Sequence, residues 1–141
     1  MELENVLADI QPINVFIREV NIHNLDGILP PENQQTYSLA VEHSEIQTVD
    51  GKKQQGLRLS IECKIVGIAE NVVKLILEGY FESKDEKIDE KDFIELVKYN
   101  GTAALYSIAR AKIEELTSLV FSSGKIIIPM INIIKFFDKV D

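Results

Sequence analysis

Ile13, Val15 and Ile17 share one parity along the chain, and Val20 and Ile22 share the other. Such alternation predicts a strand, and the change of parity predicts a β-bulge near Arg18 and Glu19. Residues 24–35 follow, with Asp26-Gly27 and Pro30-Pro31. That composition predicts a loop, long for a compact domain, carrying Ile28 and Leu29. Alternation resumes with Tyr37, Leu39, Val41 and His43, and Val49-Asp50-Gly51-Lys52 reads as a hairpin turn. Leu57, Leu59, Ile61, Cys63 and Ile65 then oppose Arg58, Ser60, Glu62 and Lys64, as in an antiparallel sheet with one solvated face. After a turn at Asn71, a fourth strand sets Val73, Leu75, Leu77, Gly79 and Phe81 inward. Lys74, Ile76, Glu78, Tyr80 and Glu82 lie on its outer face.

The second half changes period. Residues 82–95 are rich in acids and lysines, which predicts a solvated turn and a helix start. Phe93, Leu96 and Val97 have helical spacing, Asn100-Gly101 predicts a stop, and Thr102 is placed to cap the next helix. Leu105, Ile108, Ala109, Ile113, Leu116 and Val120 form a wide apolar stripe on that helix. Leu119 and Phe121 widen it further, and Ser122-Ser123-Gly124 ends it. So much apolar surface predicts a partner beyond one sheet face. Residues 126–137 are very apolar, too few to span a bilayer, and Pro129 prevents one continuous helix.

Length adds one bound: 141 residues make one domain, residues 1–141. The net charge of −8 argues against nucleic acid as the partner. The single Cys63 excludes an internal disulfide and reads as a buried, inert thiol. His23 and His43 lie in separate strands with no ligand partner nearby in sequence, so neither a metal nor a cofactor is expected. Arg110, in mid-helix, reads as a surface salt-bridge residue. No phosphate-cradling glycine loop, zinc-protease motif or nucleophile elbow occurs, and a non-catalytic protein is expected. The start Met1-Glu2-Leu3-Glu4-Asn5 lacks the basic opening of a signal peptide, so the expected location is cytoplasmic, without membrane insertion.

Four strands followed by a long C-terminal helix is an uncommon order at this length. In that order the sequence resembles the SecB family of protein-export chaperones, over residues 13–133. Val15-Phe16-Ile17-Arg18-Glu19-Val20-Asn21-Ile22 resembles the family's first strand. Glu78-Gly79-Tyr80-Phe81 resembles the step that closes its fourth. Tyr106-Ser107-Ile108-Ala109-Arg110 resembles the stretch that opens its long helix. Ser123-Gly124 with Pro129-Met130-Ile131-Asn132-Ile133 resembles the turn and segment after that helix.

The resemblance implies an α+β fold: a four-stranded antiparallel Greek-key sheet with the long helix packed on one face. It implies a homotetramer, a dimer of dimers, paired through first strands (Val15, Ile17) and stacked through long helices (Ile113, Leu116, Val120). It implies an ATP-independent holdase for unfolded or nascent polypeptides. Clients would lie in apolar grooves at Ile28, Leu29, Leu105 and Ile108. The resemblance implies a role in protein export, or for one dedicated client such as an antitoxin. Glu19 matches one acid that contacts the SecA translocation motor, whereas His23 and Lys74 stand where other acids are expected, which weakens that contact. The family's second C-terminal helix would begin near Ile134, so here a stub or no helix at all is expected. Two alternatives remain: a non-catalytic adaptor oligomer binding one protein partner, and a small α+β enzyme of hotdog type. The late position of the long helix argues against the second.

Overall fold

A computed structural model describes residues 8–23, 27–29, 31, 34–66 and 71–141, the side chain of Asn71 excepted. Five strands form one antiparallel sheet: β1 (Ile10–Ile22), β2 (Gln35–His43), β3 (Gln47–Val49), β4 (Lys52–Ile65) and β5 (Asn71–Ser83). Their spatial order is β1-β5-β4-β2, with the short β3 also on β4. β2, β4 and β5 follow one another as antiparallel neighbours, while β1 crosses over to lie beside β5, which is the Greek-key arrangement. Three helices follow, α1 (Glu90–Leu96), α2 (Thr102–Val120) and α3 (Ile133–Val140).

Period-2 patterning explains the sheet. Leu59, Ile61, Cys63, Leu75 and Leu77 all point to the helical side and are essentially excluded from solvent. On the opposite side Glu78 is buried by two guanidinium groups. Arg18 and Arg58 reach the same carboxylate oxygen, at 3.1 and 2.6 Å. Arg18 gets there because it is the extra residue of the expected bulge: Ile17 pairs with Leu77 and Glu19 with Ile76. The bulge keeps Ile17 and Val20 on the same, inner face, opposite Leu77 and Leu75. A second irregularity, between Pro12 and Asn14, left no parity signal. The β3–β4 turn is as predicted, with Asp50 at φ 51° and Gly51 at φ 83°, both left-handed as a two-residue hairpin requires.

The expected stop at Asn100-Gly101 does not occur. Val97–Gly101 is a π-helical turn that joins α1 to α2, and Leu96, Gly101 and Thr102 all keep right-handed helical angles. Glycine is needed at 101 for closeness and not for a break. A Cβ there would stand 3.0 Å from Leu57 Cδ1 and 3.2 Å from the Phe81 ring. Thr102 makes no side-chain cap; its Oγ1 is buried without a hydrogen-bond partner among the described residues.

The stripe of α2 is also rotated from the expected one. Its buried residues are Thr102, Leu105, Tyr106, Ala109, Ile113 and Thr117, whereas Ile108 is exposed and Leu116 only partly covered. Of the two core threonines, only Thr117 has its hydroxyl taken up by helix backbone and tail. Thr117 Oγ1 donates to the Ile113 carbonyl (2.7 Å) and accepts from the Ile126 N–H (2.9 Å).

Among the described residues, no helix is long and apolar enough to cross a membrane.

Candidate functional site: an apolar recess beside an edge strand

The tail after α2 is extended, and period 2 decides which residues it buries. Ile126 and Ile128 face the core, while Ile127 and Met130 face out. It runs back along α2 and is fastened at each step. Lys125 pairs with Glu114 at 2.7 Å, and the Ile126 N–H reaches Thr117. The Lys125 ammonium holds the Glu114 carboxyl below the usual range. Arg110 Nε donates to the Ile128 carbonyl at 2.8 Å, so Arg110 is a strut for the tail and not a surface salt-bridge residue. The Tyr106 hydroxyl donates to the Pro129 carbonyl at 2.5 Å. Burial pushes the Tyr106 phenol up, against the opposing pull of Arg110, so the donor keeps its proton at neutral pH.

Asn132 then turns the chain into α3. Its side-chain oxygen accepts from the Lys135 N–H at 3.0 Å, the third helical position, as an N-cap should. The short second helix, which the sequence left open, forms with eight residues. Phe137 anchors it, edge-on to Tyr99 with ring centroids 5.7 Å apart. Lys98 adds a second anchor, with its ammonium 4.9 Å from the Phe137 ring centre and hydrogen-bonded to the Asp141 carboxylate.

Held this way, α3 bridges over the inner face of β2 without filling the space beneath it. On one side lies a recess of about 440 Å³, lined by Tyr37, Leu39, Ile61, Tyr106, Ile128 and Phe136, with Lys135 and Lys139 also on its wall. On the other lies a cavity of about 370 Å³, lined by Val41, Leu57, Ile94, Lys98 and Phe137. Leu39 and Val41 are alternate residues of β2, so the two spaces are floored by one strand face. Among the described residues β2 has a sheet neighbour, β4, on one side only. An apolar recess beside an edge strand suits an extended peptide, whose backbone continues the sheet while alternate side chains enter the recess.

The residues singled out from the sequence do not form one site. Leu105 is fully buried and packs against Gly79, where a Cβ would stand 2.8 Å from Leu105 Cδ2; it is a core residue and lines no groove. Ile28 is 64% exposed, and Leu29 is half-buried. Their segment is pinned to the far end of α2: Ser122 donates to the Gly27 carbonyl at 2.8 Å, and the Leu29 N–H donates to Ser123 Oγ at 2.7 Å. At 1.5 Å per residue, Leu105 and Ile108 lie roughly 20–25 Å away along the helix. Residues 24–26, 30, 32 and 33 of the expected loop lie outside the described residues.

Val15 is partly buried and Ile17 is 41% exposed, both on the inner face of β1, beyond the strands that α2 covers. Ile113 is buried in the core of this chain, and Val120 packs partly on that core. Leu119, by contrast, is 81% exposed. Glu19 lies 3.6 Å from the Lys74 ammonium. The recess itself was missed. Its signals were the alternation of Ile126 and Ile128 and the capping pattern at Asn132, but nothing in sequence says that the tail folds back to β2.

No family model matches the sequence, and no curated protein matches it. The fold is similar to that of a SecB-like chaperone from Mycobacterium tuberculosis, solved in complex with a ChAD peptide from an antitoxin. That match has a TM-score of 0.57 and 14% identity, and covers 88% of this chain and 91% of that one. A protein of unknown function from Streptococcus agalactiae matches with a TM-score of 0.48 and 10% identity, over 86% and 97% of the two chains. The first likeness shows an α+β fold like that of the SecB-like chaperone, and it is a likeness of fold alone.

Proposed function

We propose that this protein is an ATP-independent holdase that binds unfolded or nascent polypeptide in apolar grooves. The observation that carries the reading is the 440 Å³ recess beneath α3, open to an edge strand and floored by Tyr37, Leu39 and Ile61. Apolar burial contributes about 25 cal/mol per Å² and is non-directional, so such a surface accepts many sequences. The SecB-like neighbour's complex with an antitoxin peptide supports the same reading, with a dedicated antitoxin client or export clients as its two forms. Ile28, exposed on its tether, is a second contact for a client long enough to reach it. Coupling to the SecA motor is weakened further by the Glu19–Lys74 pair, which occupies the one matching acid. A homotetramer assembled through the half-exposed inner face of β1 and through Leu119 completes the proposal, in a cytoplasmic setting.

The test is light scattering from several unrelated denatured proteins as they aggregate, without ATP. Suppression at near-stoichiometric ratio supports the holdase. Suppression of none overturns it and leaves the adaptor reading, in which one folded partner is bound.

A further inference from the structure

The two sides of α3 differ in charge. Lys135 and Lys139 are four residues apart, so they share one helix face, and both border the apolar recess. Both are exposed, and neither has an acidic partner among the described residues. No carboxylate lines that recess. The acids of α3 and its end are turned the other way: Asp141 bonds Lys98, and Asp138 acts electrostatically on the same lysine. Like charges at this spacing repel and cost helix stability; the helix dipole favours Lys139 in the last turn but does not account for Lys135. The chain as a whole carries −8, which makes two unpaired lysines at the mouth of an apolar recess a local reversal of sign. Within a Debye length of about 10 Å at 0.1 M salt, that local sign governs what a bound segment meets.

We infer that the recess beneath α3 selects extended client segments in which alternating apolar side chains are flanked by acidic ones, the acids meeting Lys135 and Lys139. The inference rests on the holdase reading and narrows it to a client class. Apolar side chains contact Leu39 and Phe136, and a neighbouring Asp or Glu reaches the lysine face. The net charge of the protein alone would impose the opposite preference, for basic clients.

The experiment uses three synthetic peptides with one neutral dye and one alternating Val-Thr core, flanked on both sides by Asp-Asp, Ser-Ser or Lys-Lys. Fluorescence anisotropy against the whole protein measures their affinities. The acidic peptide is expected to bind about tenfold more tightly than the basic one at about 20 mM salt, with the gap closing near 0.5 M. Replacing both residues (Lys135→Gln with Lys139→Gln) abolishes the gap and leaves the circular dichroism spectrum unchanged, since both side chains are exposed. The pair Lys84→Gln with Lys91→Gln, which removes as much charge elsewhere, leaves it in place. Equal affinities, a basic preference, or an acidic preference that survives the Lys135/Lys139 change overturns the inference while the holdase reading stands. No binding by any peptide overturns the recess as a client site, and the inference with it.

Discussion

Leu105 fills the space that Gly79 leaves by having no side chain. A Cβ on Gly79 would come within 2.8 Å of Leu105 Cδ2, and this contact sets how closely α2 lies on β5. Gly79→Ala is therefore expected to destabilise the protein by about 1–3 kcal/mol, as overpacking does. Urea unfolding would show it. Leu105→Ala costs about 2–5 kcal/mol alone, yet in the double variant the two losses should fall short of their sum. Additive losses would mean that the residues are not in contact.

Gly101→Ala poses helix propensity against space. Alanine is the better helix former by about 1 kcal/mol. Even so, the added methyl meets Leu57 and Phe81, so the variant should be less stable than the parent. A gain in stability would show that the π turn yields to fit the methyl group.

The two core threonines should respond in opposite ways. Thr102→Val removes a buried hydroxyl without a partner, and stability should hold or rise by up to about 1 kcal/mol. Thr117→Val strands the Ile126 N–H and should cost about 1–3 kcal/mol. It should also loosen the tail, which hydrogen exchange at Ile126 and Ile128 would report.

Burial pushes the Cys63 thiol up from 9.0 to about 11. The folded state therefore holds the proton more tightly than the unfolded state does. That contribution is whole below pH 9 and is lost as pH rises from about 9 to 11, where only the unfolded thiol ionises first. The parent should lose more stability over that window than Cys63→Ala does, as measured by denaturant midpoints. Equal losses would contradict the burial of the thiol.

Ile28→Asp should leave the fold intact, because the side chain is mostly in solvent. A client long enough to span from the recess to the far end of α2 should then bind more weakly, whereas a short peptide in the recess should not. If neither affinity changes, the tethered segment takes no part in binding.

The sheet was legible because period 2 is a local property. The inner faces of β4 and β5 can be read directly, and the bulge at Arg18 shows as a change of parity. The Greek-key order was not local and came through resemblance. The helical half misled at Gly101 because a glycine required for close approach and a glycine required for a break look alike in sequence. Thr102 was read as a cap for the same reason, and Thr117 drew no reading, since the burial of both depends on chain far away in sequence. The recess depended on three such distant contacts, Tyr106 with Pro129, Arg110 with Ile128 and Phe137 with Tyr99, and none of them leaves a spacing to find.

The crossover of β1 has a consequence for biosynthesis. Ile10 pairs with Ser83 and Ile22 with Val73, so β1 leaves the ribosome roughly fifty to seventy residues before its mate. At about 5–20 residues per second, that wait lasts on the order of several seconds. Throughout it the whole of β1 is unpaired, including Ile10, Val15 and Ile22, which the finished sheet buries wholly or in part. A protein proposed to guard other nascent chains thus begins life with the hazard it is built to relieve.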